Sequence, residues 1–165
     1  MPESKKIIIN TGPIIALSAA CKNLDILNKL YNQVIVPGEV ASEILKDNTS
    51  RFAAREFQNA TWIETISLQD KDKIITASKL DPGESAVIRT ALQIGINLVC
   101  IDEIVGRRVA RLCGLEVTGS LGILLRAKKE GYPFDIKECL ENMKEKGIWI
   151  SAELEKKVLI LAGEI

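Results

Sequence analysis

The sequence predicts an α/β fold in which a mainly parallel sheet is covered by helices on both faces. Five short apolar runs, rich in β-branched residues, alternate with helical stretches. Such alternation requires βαβ crossovers, and these place helices on both sides of a parallel sheet. The predicted strands are Ile7–Ile9, Val34–Val36, Trp62–Ile66, Leu98–Ile101 and Leu115–Thr118.

The first strand carries the first functional signal. The apolar run Ile7–Ile9 predicts a short strand with both faces buried, and the run ends at Asn10. Gly12 and Pro13 should break the strand, and a helix, interrupted about midway, should follow over Ile14–Leu30. A polar side chain therefore stands at the carboxyl end of the first strand, which is where ligands bind in open α/β sheets. Alternatively, Asn10 starts an Asx turn and has no other role.

The remaining helices have their own start and stop signals. Asp81 followed by Pro82 and Glu84 predicts a capping box, and Asp135 with Glu138 predicts a second one. After the fifth strand the chain is wholly helical, and its last helix carries an apolar stripe that either packs on the domain, which we favour, or meets a partner. The predicted helices are Gly38–Lys46, Arg51–Asn59, Glu84–Ile94, Val105–Cys113, Leu121–Glu130, Asp135–Lys146 and Ser151–Ala162, and the stripe is Leu154, Val158 and Leu161.

Length and composition limit the possible classes of protein. The 165 residues suffice for one domain, which we assign to residues 1–165 with a core of about 7–130 and a helical tail of about 131–165. Lys and Arg together number 22, as do Asp and Glu, so a globally basic nucleic-acid binder is not indicated. Binding to nucleic acid would depend on local clusters of charge. The near-zero net charge weakly favours self-association.

Cysteine and histidine usage excludes several chemistries. There are four cysteines in no C-x-x-C pair and no histidine, which excludes the usual Cys/His zinc sites and Ser-His-Asp or Cys-His catalysis. Free, buried thiols in a reducing cytosol are the expectation. No apolar run approaches the roughly 18 residues of a membrane span, and no secretory signal is apparent. We therefore expect a cytoplasmic protein.

Acidic residues recur at the ends of the predicted strands and in the helices that follow. Asp102 and Glu103 follow the fourth strand, Glu43 lies in the helix after the second, and Glu84 lies in the first turn of a later helix. If the strand order reverses between strands one and four, these side chains converge near Asn10. Oxygen ligands without histidine select Mg²⁺ or Mn²⁺, ions that activate water and neutralise charge in phosphodiester hydrolysis. Alternatively, Glu84 only completes a capping box and Glu43 is a solvated helix charge.

Four motifs in order resemble the PIN domain, a nuclease fold found in the toxins of many bacterial toxin–antitoxin pairs. Over about residues 7 to 130, the segments Ile-Ile-Asn-Thr-Gly-Pro, Val-Pro-Gly-Glu-Val-Ala-Ser-Glu, Asp-Pro-Gly-Glu-Ser-Ala and Leu-Val-Cys-Ile-Asp-Glu look like the four motifs of the family. The family's acids would be Glu43, Glu84 and Asp102. The first motif departs from the family, because Asn10 stands where an Asp is usual.

The resemblance implies a three-layer α/β/α fold with strand order 3-2-1-4-5, RNA cleavage that depends on Mg²⁺ or Mn²⁺, frequent dimers and, for toxins, a small antitoxin partner. It assigns catalysis to Asp102, Glu43, Glu84 and Asn10. The metal ligands would be these four with Glu103 as a compensating acid. An amide oxygen can coordinate a metal but brings no charge, so metal affinity should be lower than in a family member with Asp.

Local basic residues complete the candidate site. Arg107 and Arg111 share one face of the helix after Asp102 and form a possible track for RNA phosphates, and Thr11 would either orient a water or phosphate or cap its helix. Aromatic residues make up 4% of the chain, and no stacking platform for bases is visible. Rival interpretations are a PIN-like module that binds nucleic acid or protein without cutting, a nucleotide-binding Rossmann-like protein, and a dimeric scaffold. The second is disfavoured because no G-x-G-x-x-G or Walker sequence follows a strand.

Overall fold

The computed structural model describes residues 5–68 and 80–165. Its strands form one parallel sheet of five, in the order β3-β2-β1-β4-β5. They are β1 (Lys6–Ile9), β2 (Gln33–Pro37), β3 (Glu64–Ile66), β4 (Leu98–Cys100) and β5 (Glu116–Thr118). Both the predicted fold class and the predicted strand order are confirmed.

Helices connect the strands and follow the last one. They are α1 (Thr11–Cys21), α2 (Asp25–Leu30), α3 (Gly38–Lys46), α4 (Arg51–Asn59), α5 (Pro82–Ile94), α6 (Ile104–Leu112), α7 (Ser120–Lys129), α8 (Ile136–Glu145) and α9 (Ala152–Leu161). The break between α1 and α2 occurs at Lys22, which has a left-handed φ of 63°. In the part of the chain that the structure describes, no helix has both the length and the apolar character needed to cross a bilayer.

The core surrounds β1, the central strand. Ile7, Ile8 and Ile9 are each 0% exposed, so both faces of β1 are covered by helices. Helix α5 packs against β1, β2 and β4, whereas α1 packs against α3, α4, α7 and α8. All four cysteines are free; Cys100 and Cys139 are buried and the other two are half-buried. The buried central strand fixes the position of the residue that follows it, Asn10.

The first helix starts earlier than the sequence suggested. It begins at Thr11 rather than Ile14, so Gly12 and Pro13 lie inside its first turn. Pro13 is tolerated there because the first N–H groups of a helix have no partner within the helix. The early start turns the helix directly off the end of β1, which leaves Asn10 as the single residue between strand and helix.

The helical tail is anchored on the face of the domain that carries α1. Helix α8 packs against α1 and α7, and the Asn142 side chain donates a 3.0 Å hydrogen bond to the Ala20 carbonyl oxygen. Helix α9 packs against α7 and α8. The predicted stripe on α9 packs only in part, because Val158 is 3% exposed while Leu154 and Leu161 are 42% and 65% exposed.

The predicted capping box at Asp135 is wrong. Asp135 occupies the N-cap position of α8, but its side chain makes no capping hydrogen bond. The carboxylate of Glu164 does so instead, accepting from the backbone N–H groups of Ile136 at 2.8 Å and Lys137 at 3.1 Å. A residue 28 positions away thus satisfies the helix end, and local sequence does not reveal such a partner.

Replacing Glu164 with Gln should lower the free energy of unfolding by roughly 1 kcal/mol at pH 7, the usual value of a helix cap. Burial opposes the charge of Glu164, but the N–H groups of Lys137 and Ile136 and the Lys128 ammonium outweigh it, so its pKa lies below the ordinary value. A lowered pKa stabilises the fold above the unfolded-state pKa of about 4.3, and this contribution disappears as the pH falls through the folded-state pKa.

Urea unfolding of the wild type and the Glu164→Gln variant from pH 7 down to pH 3 measures this effect, and the two curves should converge in acid. Asp135→Asn is the matched control, since Asp135 occupies the cap position without a capping hydrogen bond and is otherwise only in an exposed 3.9 Å ion pair with Lys128. It should change stability by less than about 0.5 kcal/mol. A larger loss from Asp135→Asn than from Glu164→Gln would contradict the assignment of the cap.

Candidate active site

The candidate site lies at the carboxyl edge of the sheet, between β1 and β4. The Asn10 N–H donates to the Cys100 carbonyl oxygen at 3.0 Å, and the Ile101 N–H donates to the Thr118 carbonyl oxygen at 3.0 Å. The ends of β1, β4 and β5 therefore remain joined one residue beyond the strands. The chain leaves β1 towards β2 and returns later to β4 on the other side, so this edge is the topological switch point of the sheet.

Three side-chain oxygens surround Gly83 in the first turn of α5. A methyl group added at Gly83 would lie 3.0 Å from Glu43 Oε2 and 3.1 Å from Asn10 Oδ1. Asp81 Oδ1 is the third neighbour, at 3.4 Å. We call Asn10, Glu43 and Asp81 the oxygen cluster. Only a residue without a side chain leaves the space between these three oxygens open.

Helix α3 delivers Glu43 to this cluster. The helix buries Val40, Ala41 and Ile44 against the core, and this orientation sets the direction of the neighbouring Glu43 side chain. Thr11 Oγ1 donates a 2.9 Å hydrogen bond to Glu43 Oε2. The sequence left two roles open for Thr11, which were to orient a water or phosphate and to cap its helix. In the structure Thr11 orients the carboxylate of Glu43.

Asn10 presents an acceptor that no donor satisfies. Asn10 is 5% exposed, and among the residues that the structure describes its buried Oδ1 has no hydrogen-bond partner. The Asx-turn alternative is therefore wrong, and Asn10 makes no side-chain cap on α1 either. An orphaned buried acceptor costs about 1–3 kcal/mol, and a cation at that oxygen would remove the cost. The residues present fit a hard divalent ion, because the adjoining groups are carboxylate oxygens.

Asp81 was missed as a site residue, since the sequence explained it fully as a helix cap. It is one, because its Oδ1 accepts from the Glu84 backbone N–H at 2.7 Å. The same oxygen faces Asn10 and Glu43 across Gly83. The sequence offered one indication of this second role, which is that Asp81 lies two residues before Gly83.

Glu84 is buried on the other side of α5's first turn. It is 4% exposed, and its carboxyl carbon would lie 3.2 Å from a Cβ added at Gly106 in α6. Burial, followed by the neighbouring charge of Asp81, raises the pKa of Glu84; the Asp81 backbone hydrogen bond lowers it, and Glu103 and Glu43 raise it further. These carboxylates are thus close enough to repel one another, and a bound cation would reduce that repulsion.

Asp102 caps a helix in addition to any chemical role. Its carboxylate oxygens accept from the Ser120 N–H at 2.8 Å and the Ser120 Oγ at 2.9 Å, at the start of α7. Arg107 Nη1 donates to the Ile101 carbonyl oxygen at 2.8 Å. A Cβ added at Gly119 would lie 2.7 Å from Asp102 Oδ1 and 2.8 Å from Arg107 Nη1, so Asp102 and Arg107 both face Gly119. Sequence reasoning missed Ser120, because α7 lies 18 residues beyond Asp102.

The structure places the predicted residues at the carboxyl edge of the sheet, but it does not arrange them as a complete set of ligands around one ion. Asn10 and Glu43 adjoin, Glu84 faces Gly106, and Asp102 is bonded to Ser120. Glu103 is exposed at the N-cap of α6, and Arg111 is exposed in its last turn. Among residues 5–68 and 80–165, no group of three or more Asp, Glu or Cys side chains lies close enough together to hold one ion.

A cleft of about 720 Å³ opens beside Asp102. Glu103, Arg107 and the N-terminus of α7 line it together with residues of the helical tail, whereas Asn10, Glu43 and Glu84 do not. Its size is within the range of sites that hold small organic ligands. Asp102 therefore faces an open cleft that the oxygen cluster does not line.

Replacing Gly83 with Ala should weaken the expected binding of Mn²⁺ without unfolding the protein. The added methyl would stand between Glu43 Oε2 and Asn10 Oδ1, so Mn²⁺ affinity should fall by at least about 10-fold, as when outer-shell support of a metal site is lost. Stability should change by less than about 1 kcal/mol, because Ala favours the helix while the two close contacts oppose it. Isothermal titration with Mn²⁺ and thermal unfolding measure the two effects.

Gly12→Ala is the matched control for this substitution. Gly12 is also the second residue of its helix, and a Cβ there would meet nothing within 4 Å. Its Mn²⁺ affinity should equal that of the wild type. Equal affinities for the Gly83→Ala variant and the wild type would show that the ion does not use this space.

A parallel sheet in the order 3-2-1-4-5, with carboxylate and amide oxygens at its switch point, defines a three-layer α/β/α domain with a candidate cation site. The family model that describes a PIN domain matches residues 6–164. The chain therefore belongs to the PIN-domain family, which confirms the resemblance drawn from the four motifs and extends it through the helical tail. PIN domains have a nuclease-type fold, generally use divalent metals and commonly bind RNA. No curated protein sequence matches the chain.

Proposed function

We propose that this protein is a PIN-type ribonuclease that cleaves RNA with Mg²⁺ or Mn²⁺, with activity limited by Asn10. The observation that carries the proposal is the unpaired, buried Asn10 Oδ1 beside the Glu43 carboxylate at the switch point. Asn10 and Glu43 would hold the ion, with Glu84, Asp102 and Glu103 as the further acids of that edge. When bound, the ion would neutralise negative charge on the phosphate and lower the pKa of water.

The chain's own residues have distinct tasks in this proposal. Thr11 orients Glu43 through the 2.9 Å hydrogen bond, and Ser120 orients Asp102 through two hydrogen bonds. Glu84, with its raised pKa, is the acid best placed to hold a proton at this edge. Arg107 uses one of its five N–H donors on the Ile101 carbonyl oxygen, so others are free for a phosphate oxygen. Arg111 extends the basic face of α6.

The biological setting that we propose is that of a cytoplasmic toxin with a small antitoxin partner, acting as a homodimer. Free thiols and the absence of a membrane-spanning helix among the described residues are compatible with that compartment. Large apolar side chains are exposed on α6 and the tail, as expected of surfaces that meet protein partners. They include Leu112, Ile160, Leu161 and Ile165, which are 81%, 54%, 65% and 68% exposed.

Hydrolysis of labelled single-stranded RNA tests the proposal. Wild type with Mn²⁺ should cleave, wild type with EDTA should not, and the Asp102→Asn variant should be strongly impaired. Equal rates in the wild type and the variant, or no hydrolysis by either, would contradict the proposed ribonuclease activity at this site.

A second candidate function is a module that binds nucleic acid or protein without cutting. Asn10 favours it, because an amide supplies one negative charge less than the Asp usual at this position. Titration with Mn²⁺ separates the two functions. Failure to bind at millimolar Mn²⁺ would favour the module, and binding at lower concentration would favour the ribonuclease.

A further inference from the structure

The loop between α8 and α9 displays a tryptophan to solvent. Gly147 follows α8 with a left-handed φ of 81°, and three residues separate it from Ser151, the N-cap of α9. Ile150 is 9% exposed and Ile148 is half-buried, whereas Trp149 between them is 83% exposed. The two isoleucines anchor the loop and turn the indole ring outward. Its exposure is thus set by its neighbours.

This ring lines the cleft beside Asp102. The cleft of about 720 Å³ has an apolar part, which includes Trp149, Ile104 and Leu154, and charged side chains, which are Asp102, Glu103 and Arg107. Ile104 is 74% exposed and Leu154 is 42% exposed, so the apolar part is open to a ligand. An exposed aromatic ring and a guanidinium in the same cleft match a nucleotide, which joins a planar base to an anionic phosphate.

We infer that Trp149 is a base-stacking residue for single-stranded RNA, and that a phosphate of the same strand lies at Arg107. The inference rests on the proposed function and adds a binding subsite to it. It differs from the sequence-based expectation, in which no stacking platform is visible, because Trp149 is 47 residues from Asp102 along the chain and the tail brings it to the same cleft. A peptide partner that covers the apolar residues of this cleft is the other outcome that the tests below distinguish.

Intrinsic fluorescence gives a direct measurement of this contact. The chain has two tryptophans, so the Trp62→Phe variant retains Trp149 as its only one. Titration with a short single-stranded RNA in EDTA, and again with Mn²⁺ in a Trp62→Phe/Asp102→Asn variant, should quench Trp149 fluorescence. Absence of quenching in both conditions would overturn the inference.

Substitution of the ring measures its share of affinity. Trp149→Ala should weaken RNA binding by roughly 5- to 150-fold, the range found when one stacking residue is removed, and Trp149→Phe should restore most of it. Leu92→Ala is the control, since Leu92 is an exposed apolar residue of α5 that does not line the cleft. Unchanged RNA affinity in Trp149→Ala would overturn the inference and assign the exposed ring to a protein partner.

The inference and the proposed function fail in different ways. Binding that depends on Trp149, without hydrolysis by the wild type, would reject the ribonuclease and keep the base-stacking site. Hydrolysis by the wild type with binding and KM unchanged in Trp149→Ala would reject the stacking site alone. In the expected case Trp149→Ala raises KM and leaves kcat nearly unchanged, because the ring binds the strand away from the oxygen cluster.

Discussion

Replacing Asn10 with Asp should tighten Mn²⁺ binding by about 10- to 100-fold and raise the rate of RNA hydrolysis at limiting Mn²⁺ by a similar factor. The substitution keeps an oxygen where Asn10 Oδ1 now stands and adds one negative charge beside Glu43. Metal sites respond to changes in ligand charge and support by such factors. Isothermal titration and hydrolysis over a range of Mn²⁺ concentrations measure the effect.

The same substitution should destabilise the metal-free protein. A buried carboxylate without a partner costs about 3–5 kcal/mol, and Glu43 and Asp81 would add repulsion. Thermal unfolding in EDTA should show this loss, and saturating Mn²⁺ should recover it. Asn28→Asp is the control, because Asn28 is exposed on α2 and should change neither property. An Asn10→Asp variant with wild-type Mn²⁺ affinity would mean that no ion binds at Asn10.

Replacing Asp102 with Asn should reduce hydrolysis by roughly 100-fold, because the proposed ion would lose one of the carboxylate charges that hold it. Stability should change little. The amide oxygen can still accept from the Ser120 N–H, and the amide nitrogen can donate to Ser120 Oγ in place of the present bond. Rates at saturating Mn²⁺, compared with urea unfolding, separate the loss of chemistry from loss of fold.

Two further variants make the Asp102 result specific. Asp102→Ala removes the helix cap as well, so it should lose about 1 kcal/mol of stability in addition to the activity. Asp25→Asn is the matched control, an exposed Asp at the start of α2 that should leave the rate unchanged. Full activity in Asp102→Asn would restrict Asp102 to its role as the cap of α7.

Local patterns were sufficient for most of the fold. The run Ile7–Ile9 is uniformly apolar and β-branched, which only a strand buried on both faces accommodates comfortably. Pro82 at the first helical position and Asp81 before it define the start of α5, and the Asp81 cap is confirmed at 2.7 Å. These signals are reliable because each depends on residues within one turn or one strand.

The site was predicted less completely. The edge of the sheet at which the strand order reverses was predicted correctly, since it follows from that order. Asn10 and Glu43 adjoin there, as the sequence predicted. The bond between Asp102 and Ser120, the second role of Asp81 and the cap by Glu164 were not predicted. Each of these contacts depends on how the helices pack against one another. The spacing of residues along the chain does not predict that packing.

The amino-acid sequence by itself determined the parallel sheet, the family and the acidic edge, because apolar periodicity and strand-end polarity are properties of short segments. Only the tertiary structure decided that Asn10 Oδ1 has no partner within the described part of the chain, that Gly83 keeps the space between three oxygens open, and that Trp149 shares a cleft with Asp102. These features depend on distances between elements far apart in the chain, and such distances exist only after the helices have packed.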